Sequence, residues 1–185
     1  MNVPKTYTLS IDGLVRVLPV VAVVPGKVSI AVLQMACDSE LTEHLGKKLA
    51  RLVPADAEVL VMPDGKAQSL LHVVQRETCL PAVLARKDRK VYLAEPVLVT
   101  PAVSITTPGK HLFHLGADDA ARIEGRKAVL LDDVVSSGGT YDAMKALLAL
   151  AGAREVVEMA IGTEGVGDEK RPGVIALHHF PVFLH

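Results

Sequence analysis

Four short apolar runs constrain the fold most: Glu58 to Met62, Pro81 to Ala85, Ala128 to Leu131 and Val156 to Ile161. Each has the length of one strand, and near-continuous apolarity, broken only by Glu58 and Glu158, rather than alternation means that both faces are covered, as in a parallel sheet between helices. Helical patterns separate them. Asp38 and Ser39 can cap a helix in which Leu41, Leu45, Leu49 and Leu52 recur at helical spacing. A second helix is expected from about Lys66 to Glu77. A third carries Met144, Leu147, Leu148 and Ala151 on one face, with Gly152 as its stop. This alternation predicts an α/β fold with a doubly wound, largely parallel sheet, whose ligands sit beyond the carboxyl ends of the strands.

The remaining segments are of a different kind. The opening through Val32 is β-like, and from Val91 to Leu115 Val, Ile, Thr and Leu alternate among several prolines, the pattern of a protruding antiparallel ribbon and a candidate lid. The closing segment from Gly162 is rich in Gly, His and Pro, with a last β-like run at Val174 to Leu177. A chain of 185 residues suits one domain, a core with a small appended hood.

Composition excludes several classes. The net charge of −1 offers no broad basic surface, so no nucleic-acid partner is expected and any anion site is local. The apolar stretch Val15 to Val24 is interrupted by Arg16 and Pro19 and falls short of the roughly 20 residues that span a bilayer. Its upstream segment lacks a signal-peptide pattern, so a cytoplasmic protein with no membrane partner is expected. Cys37 and Cys79 lie far apart, and neither His111 and His114 nor the adjacent His178 and His179 have the spacing of a zinc helix.

The segment that carries chemistry is VLLDDVVSSGGT, Val129 to Thr140. An apolar strand leads into Asp132 and Asp133, then through Val134 and Val135 to Ser136, Ser137, Gly138, Gly139 and Thr140 at a helix start. Backbone N–H groups of such a turn can surround a phosphate, and the Ser and Thr hydroxyls add donors. Carboxylates just before it can accept sugar hydroxyls or engage Mg²⁺ directly or through its waters. There is no GxxxxGK[ST] and no lysine within the turn, which argues against an ATPase. A strand followed by a capped surface helix would explain the Ser and Gly residues, but not two acids at a strand end.

This segment resembles the PRPP-binding motif of type I phosphoribosyltransferases, and the resemblance, which extends over most of the chain, is nearest to adenine phosphoribosyltransferase-related proteins. It implies the fold of that family: a single domain, 1–185, with a hood from about 1–35 and 162–185 and a flexible loop over about 88–115. Asp64, Gly65, Lys66 and Ala67 resemble the family's pyrophosphate loop, with Lys66 in the basic position and Ala67 in place of the family's glycine. Arg86 and Lys87, with Lys90 and Tyr92 beyond them, resemble the segment whose basic residues meet pyrophosphate; Arg89 reads as a solvated charge. Thr163-Glu164-Gly165 and Phe180-Pro181-Val182-Phe183 resemble the related group's C-terminal region. The glycines at 162, 165 and 167 read as a loop near the base pocket rather than a dinucleotide loop.

The activity implied is purine phosphoribosyl transfer from PRPP, with Mg²⁺ as cofactor, a nucleobase as second substrate, pyrophosphate and a nucleoside monophosphate as products, and a homodimer as the assembly. Asp132 and Asp133 would orient the ribose and favour its cationic form, directly or as magnesium ligands. Glu95, the only glutamate in the ribbon, is the candidate for proton transfer near the base, with a solvated lid residue as the alternative. The competing functions are transfer to a pyrimidine base and a PRPP-sensing regulator without transferase activity.

Overall fold

The computed structural model describes residues 3–103, 110–166 and 172–185. Five parallel strands form the centre of the sheet, in spatial order β5 (Ala82–Ala85), β4 (Val59–Pro63), β8 (Lys127–Val135), β9 (Glu155–Gly165) and β10 (Val174–Leu184). The last residues of β10 turn to antiparallel pairing with β3 (Val28–Ala31), and the sheet continues through β2 (Leu14–Val24) to β1 (Thr6–Ile11). The β-like opening is therefore continuous with the main sheet, and β10 belongs to both.

Helices cover both faces, as the largely apolar runs require. Alternation along β4 and β8 sends Leu60, Met62, Val129 and Leu131 to one side. There they meet Leu41, Leu45 and Leu49 of α1 (Ser39–Ala50) and Leu70, Leu71 and Val74 of α2 (Gln68–Thr78). Val59, Val61, Ala128 and Leu130 face the other side, against Tyr141, Met144, Leu147 and Leu148 of α4 (Gly139–Leu150). The Tyr141 hydroxyl donates to the Met159 carbonyl at 2.7 Å, which satisfies a buried phenol and ties α4 to β9.

Four expectations differ in detail. Leu52 falls beyond the end of α1 and is exposed, because the helix closes at Arg51 ahead of Pro54. The second helix starts at Gln68 rather than Lys66, since the preceding residues form the turn after β4. The apolar run of β8 stops at Leu131, yet backbone pairing with β9 continues to Val135, so both aspartates lie within the strand. The last strand likewise runs on past Leu177 to Leu184.

The expected ribbon is present as β6 (Leu98–Val103) paired with β7 (Lys110–Leu115). Its body rests on α4 instead of standing away from the core. Thr100 donates to the Ala143 carbonyl at 3.1 Å, Phe113 and Leu115 are buried, and His114 and Arg86 exchange backbone hydrogen bonds at 2.8 and 2.9 Å. Residues 104–109 of the ribbon and Gly167 of the glycine series lie outside the described residues. A short helix, α3 (Ala117–Ala121), follows the ribbon; it buries no side chain and so leaves no apolar period to read.

The β1–β2 hairpin is fastened to α1 by polar contacts. Arg16 bridges Asp38 at 2.6 Å and Glu40 at 2.7 Å, Lys48 pairs with Asp12, and His44 donates to the Ile11 carbonyl at 3.1 Å. Asp38 also caps α1 by accepting from the Leu41 N–H at 2.9 Å. Among the described residues no helix is long and apolar enough to cross a membrane.

Candidate active site

Parallel strands deliver their carboxyl ends to one edge, and here that edge collects the sequence-predicted residues in spatial order. Arg86 and Lys87 follow β5, Asp64 to Ala67 follow β4, Asp132 to Thr140 close β8 and open α4, and Glu164 ends β9. Contacts link each strand tip to the next. Asp64 lies 3.8 Å from the Arg86 guanidinium and accepts from the Gln68 amide at 2.7 Å. Lys66 Nζ lies 3.0 Å from Asp133 Oδ2. The Ser136 hydroxyl donates to the Glu164 carboxylate.

Two helix starts on this edge lack a side-chain cap. At α2 the cap position is Ala67, and at α4 it is Gly138, whose φ of +86° lies in the left-handed region that a glycine adopts at no steric cost. By contrast α1 is capped by Asp38. The first N–H groups of an α-helix have no partner within the helix and carry partial positive charge, so two uncapped starts at neighbouring strand tips make two anion cradles. They lie on opposite faces of the sheet, with the Lys66–Asp133 pair between them. Within the first turn of α2 the buried Ser69 hydroxyl has no partner, alone in this among the described residues, and no motif in the sequence marks it.

The paired acids differ in setting. Asp133 is buried, its Oδ1 accepting from the Val134 N–H at 2.9 Å and its Oδ2 meeting Lys66, which is itself exposed. Asp132 accepts from the Asp133 N–H at 2.9 Å. Burial pushes the Asp132 carboxyl well above the usual carboxylate range, and the neighbouring charge of Asp133 pushes it further, against the pull of the Asp133 N–H and Lys66. Burial raises Tyr141 likewise, with the Asp132 charge adding to the effect. Glu164 is also raised by burial, opposed by Ser136, Lys66 and His179. Glu164 lies in the segment Thr163-Glu164-Gly165 without a local motif of its own, and only the β8–β9 register brings it beside Ser136.

Beyond Arg86 the remaining predicted residues lie apart from this centre. The Arg86 guanidinium stands 5.9 Å from the Tyr92 ring and lines a cavity of about 350 Å³ with Leu93, Ala94, Asp118 and Arg122, on the β5 side. Lys87 is exposed, Lys90 pairs with Asp88 at 3.3 Å, and Glu95 is held by Arg89 and by the Val97 N–H at 3.1 Å. None of these contacts brings Glu95 to the acid pair. His114 is buried, with its Nδ1 donating to the Arg86 carbonyl at 3.1 Å, and no cluster of metal-ligating side chains occurs among the described residues.

No family model matches the sequence. A curated relative, amidophosphoribosyltransferase of Rhizobium etli, is 33% identical over 115 residues, a match that covers 62% of this chain and only 22% of the relative. Among solved structures, adenine phosphoribosyltransferase from Thermoanaerobacter pseudethanolicus superposes with a TM-score of 0.63 at 19% identity, covering 77% of this chain and 83% of that one. The APRTase of Giardia lamblia complexed with 9-deazaadenine gives 0.68 at 15% identity over 88% and 93%. The Trypanosoma brucei adenine enzyme in complex with AMP, pyrophosphate and ribose-5-phosphate gives 0.56 at 20% over 68% and 54%. The strand order, the two-sided helix cover and these superpositions agree: the chain has the fold of the type I phosphoribosyltransferases.

Proposed function

We propose that the protein transfers the 5-phosphoribosyl group of PRPP to a nucleobase, a purine such as adenine, and releases pyrophosphate. The observation that carries this reading is the pair of uncapped helix starts at adjacent strand tips, with carboxylates and a lysine between them. A ligand suited to it has a phosphate at each end and hydroxyls in the middle, and PRPP is such a ligand. The 5-phosphate would sit on the Ser136–Thr140 turn, the pyrophosphate on the start of α2 with Lys66, and the ribose hydroxyls on Asp132 and Asp133. The resemblance of the sequence and the adenine enzymes of the same fold support the acceptor.

In the reaction the lone pair of a base nitrogen forms the new bond to the anomeric carbon while the bond to pyrophosphate breaks. Pyrophosphate leaves with the electron pair, and the proton of the attacking nitrogen passes to solvent or to the released pyrophosphate. Lys66, with Arg86 and Lys87 nearby, would offset the charge gathering on the leaving group, and the aspartates would favour the cationic ring. Holding both phosphates also fixes the anomeric carbon relative to its attacker. The acid pair, without a third ligand among the described residues, would fit a magnesium ion carried largely by phosphate and water, which would neutralise pyrophosphate. Glu95 would have to leave Arg89 to reach the base.

The test is a panel of adenine, guanine, hypoxanthine, xanthine, orotate and uracil, each incubated with PRPP and Mg²⁺ while nucleotide formation is followed. Formation of a purine nucleotide is expected. Binding of PRPP by calorimetry without turnover of any base would replace this reading with that of a PRPP-sensing regulator.

A further inference from the structure

We infer that Glu164 selects the base, its carboxylate accepting the exocyclic amino group of an aminopurine and excluding 6-oxopurines. The inference rests on the function proposed above and follows from the order of the strands. Attack and departure occur on opposite sides of the anomeric carbon. With pyrophosphate at the tip of β4 and the ribose on Asp132 and Asp133 of β8, the base falls on the other side of β8, toward the tip of β9.

The tip of β9 is Thr163, Glu164, Gly165 and Val166, and Glu164 is its one ionisable group. Thr163 is buried and hydrogen-bonded to the His179 ring at 2.9 Å, so it is occupied. Glu164 is partly buried; Lys66 and His179 act on it electrostatically, but no close ion pair engages it among the described residues. Ser136 fills one acceptor position of a group with about four. A half-buried carboxylate with unfilled acceptor sites calls for N–H donors. An amino group supplies them. A ring carbonyl at the same place would set its lone pairs against the carboxylate, and a missing donor in a polar pocket is a strong basis for rejection.

Phe180 keeps this tip in place. It pairs in register with Glu164, is fully buried, and lies so close to Gly162 that a Cβ there would collide with its ring. The backbone bearing Glu164 is thereby wedged against β10, whose rings join Tyr7 through the 2.8 Å bond between His178 and the Tyr7 hydroxyl.

The experiment compares adenine and hypoxanthine as acceptors for wild type, Glu164→Gln and Glu164→Asp. Wild type should prefer adenine. Glu164→Gln, whose amide can offer either a donor or an acceptor, should shrink the ratio of the two kcat/KM values at least about tenfold, through the KM of the base, with the KM of PRPP within about twofold. Glu164→Asp, which keeps the carboxylate, should retain the preference. An unchanged ratio in Glu164→Gln, equal losses for both bases and PRPP, or a wild-type preference for hypoxanthine would overturn the inference. If wild type forms no nucleotide from any base, the proposed function itself fails. Calorimetry of AMP and IMP then decides the role of Glu164: tighter AMP binding that Glu164→Gln abolishes supports it, and equal affinities in wild type overturn it.

Discussion

At the amino-terminal edge of the parallel strands Lys127 pairs with Asp56 at 3.1 Å and Glu155 at 3.0 Å, and Arg154 pairs with Glu58 at 2.9 Å. At the carboxyl-terminal edge three acids, Asp132, Asp133 and Glu164, share Lys66 as the lysine that acts on all of them. The two edges shift their groups in opposite senses. Opposite charges hold Lys127 above the usual lysine range and Asp56 below the usual carboxylate range, so each stays charged. Burial instead drives Asp132 and Glu164 toward the neutral form. One edge uses charge to join strands. The other buries carboxyl groups against the pull of their own charge, the mark of groups held for a ligand.

The largest effect should follow from removing the ligand-facing side of this contrast. Asp133→Asn combined with Ser137→Ala should weaken PRPP–Mg²⁺ binding at least about 100-fold, about 2.7 kcal/mol, by calorimetry. Because the loss is of ligand contacts, the melting temperature should stay near that of wild type. Unchanged PRPP affinity in a folded double variant would remove the reason for setting the two edges apart.

A pair of lysine variants cuts more finely. Lys66→Ala should lower kcat/KM about tenfold or more and leave thermal stability nearly unaltered, since its side chain is exposed apart from Asp133. Lys127→Ala should do the reverse, with activity within about twofold of wild type and melting lowered by a few degrees. Equal effects of the two on activity would break the comparison.

The sequence made the carboxyl-terminal edge legible because its signals are local. A strand–acid–small-residue–helix order is written in consecutive residues, and Asp132 to Thr140 occupy the strand end and turn that such an order predicts. The four apolar runs are likewise β4, β5, β8 and β9. What stayed hidden depends on register between distant segments. Glu164 gains its place from the pairing of Val135 with Thr163, and Arg86 is fixed by backbone bonds to His114, across the whole ribbon. The ribbon's alternation was visible, but not that Phe113 and Leu115 would bury against the core. Alternation identifies a covered face without saying what covers it.

Asp38 extends the comparison to helix starts, because it is a carboxylate whose partners, not burial, set its behaviour. Its hydrogen bond with Arg16 and then that with the Leu41 N–H hold its pKa below the ordinary 3.8. The stability it contributes is therefore complete above that ordinary value and lost as pH falls through the lower folded value. Asp38→Ala removes cap and ion pair together and should cost about 1 kcal/mol. Asp38→Asn keeps a good cap and removes the charge, so it should cost less, and its deficit should vanish in acid. Melting curves from about pH 6 to about pH 2 should show wild type and Asp38→Asn converging at the acid end, while Asp38→Ala stays below both. A constant gap between wild type and Asp38→Asn across that range would mean that the Arg16 contact adds nothing, and that α1 differs from α2 and α4 only in having a cap.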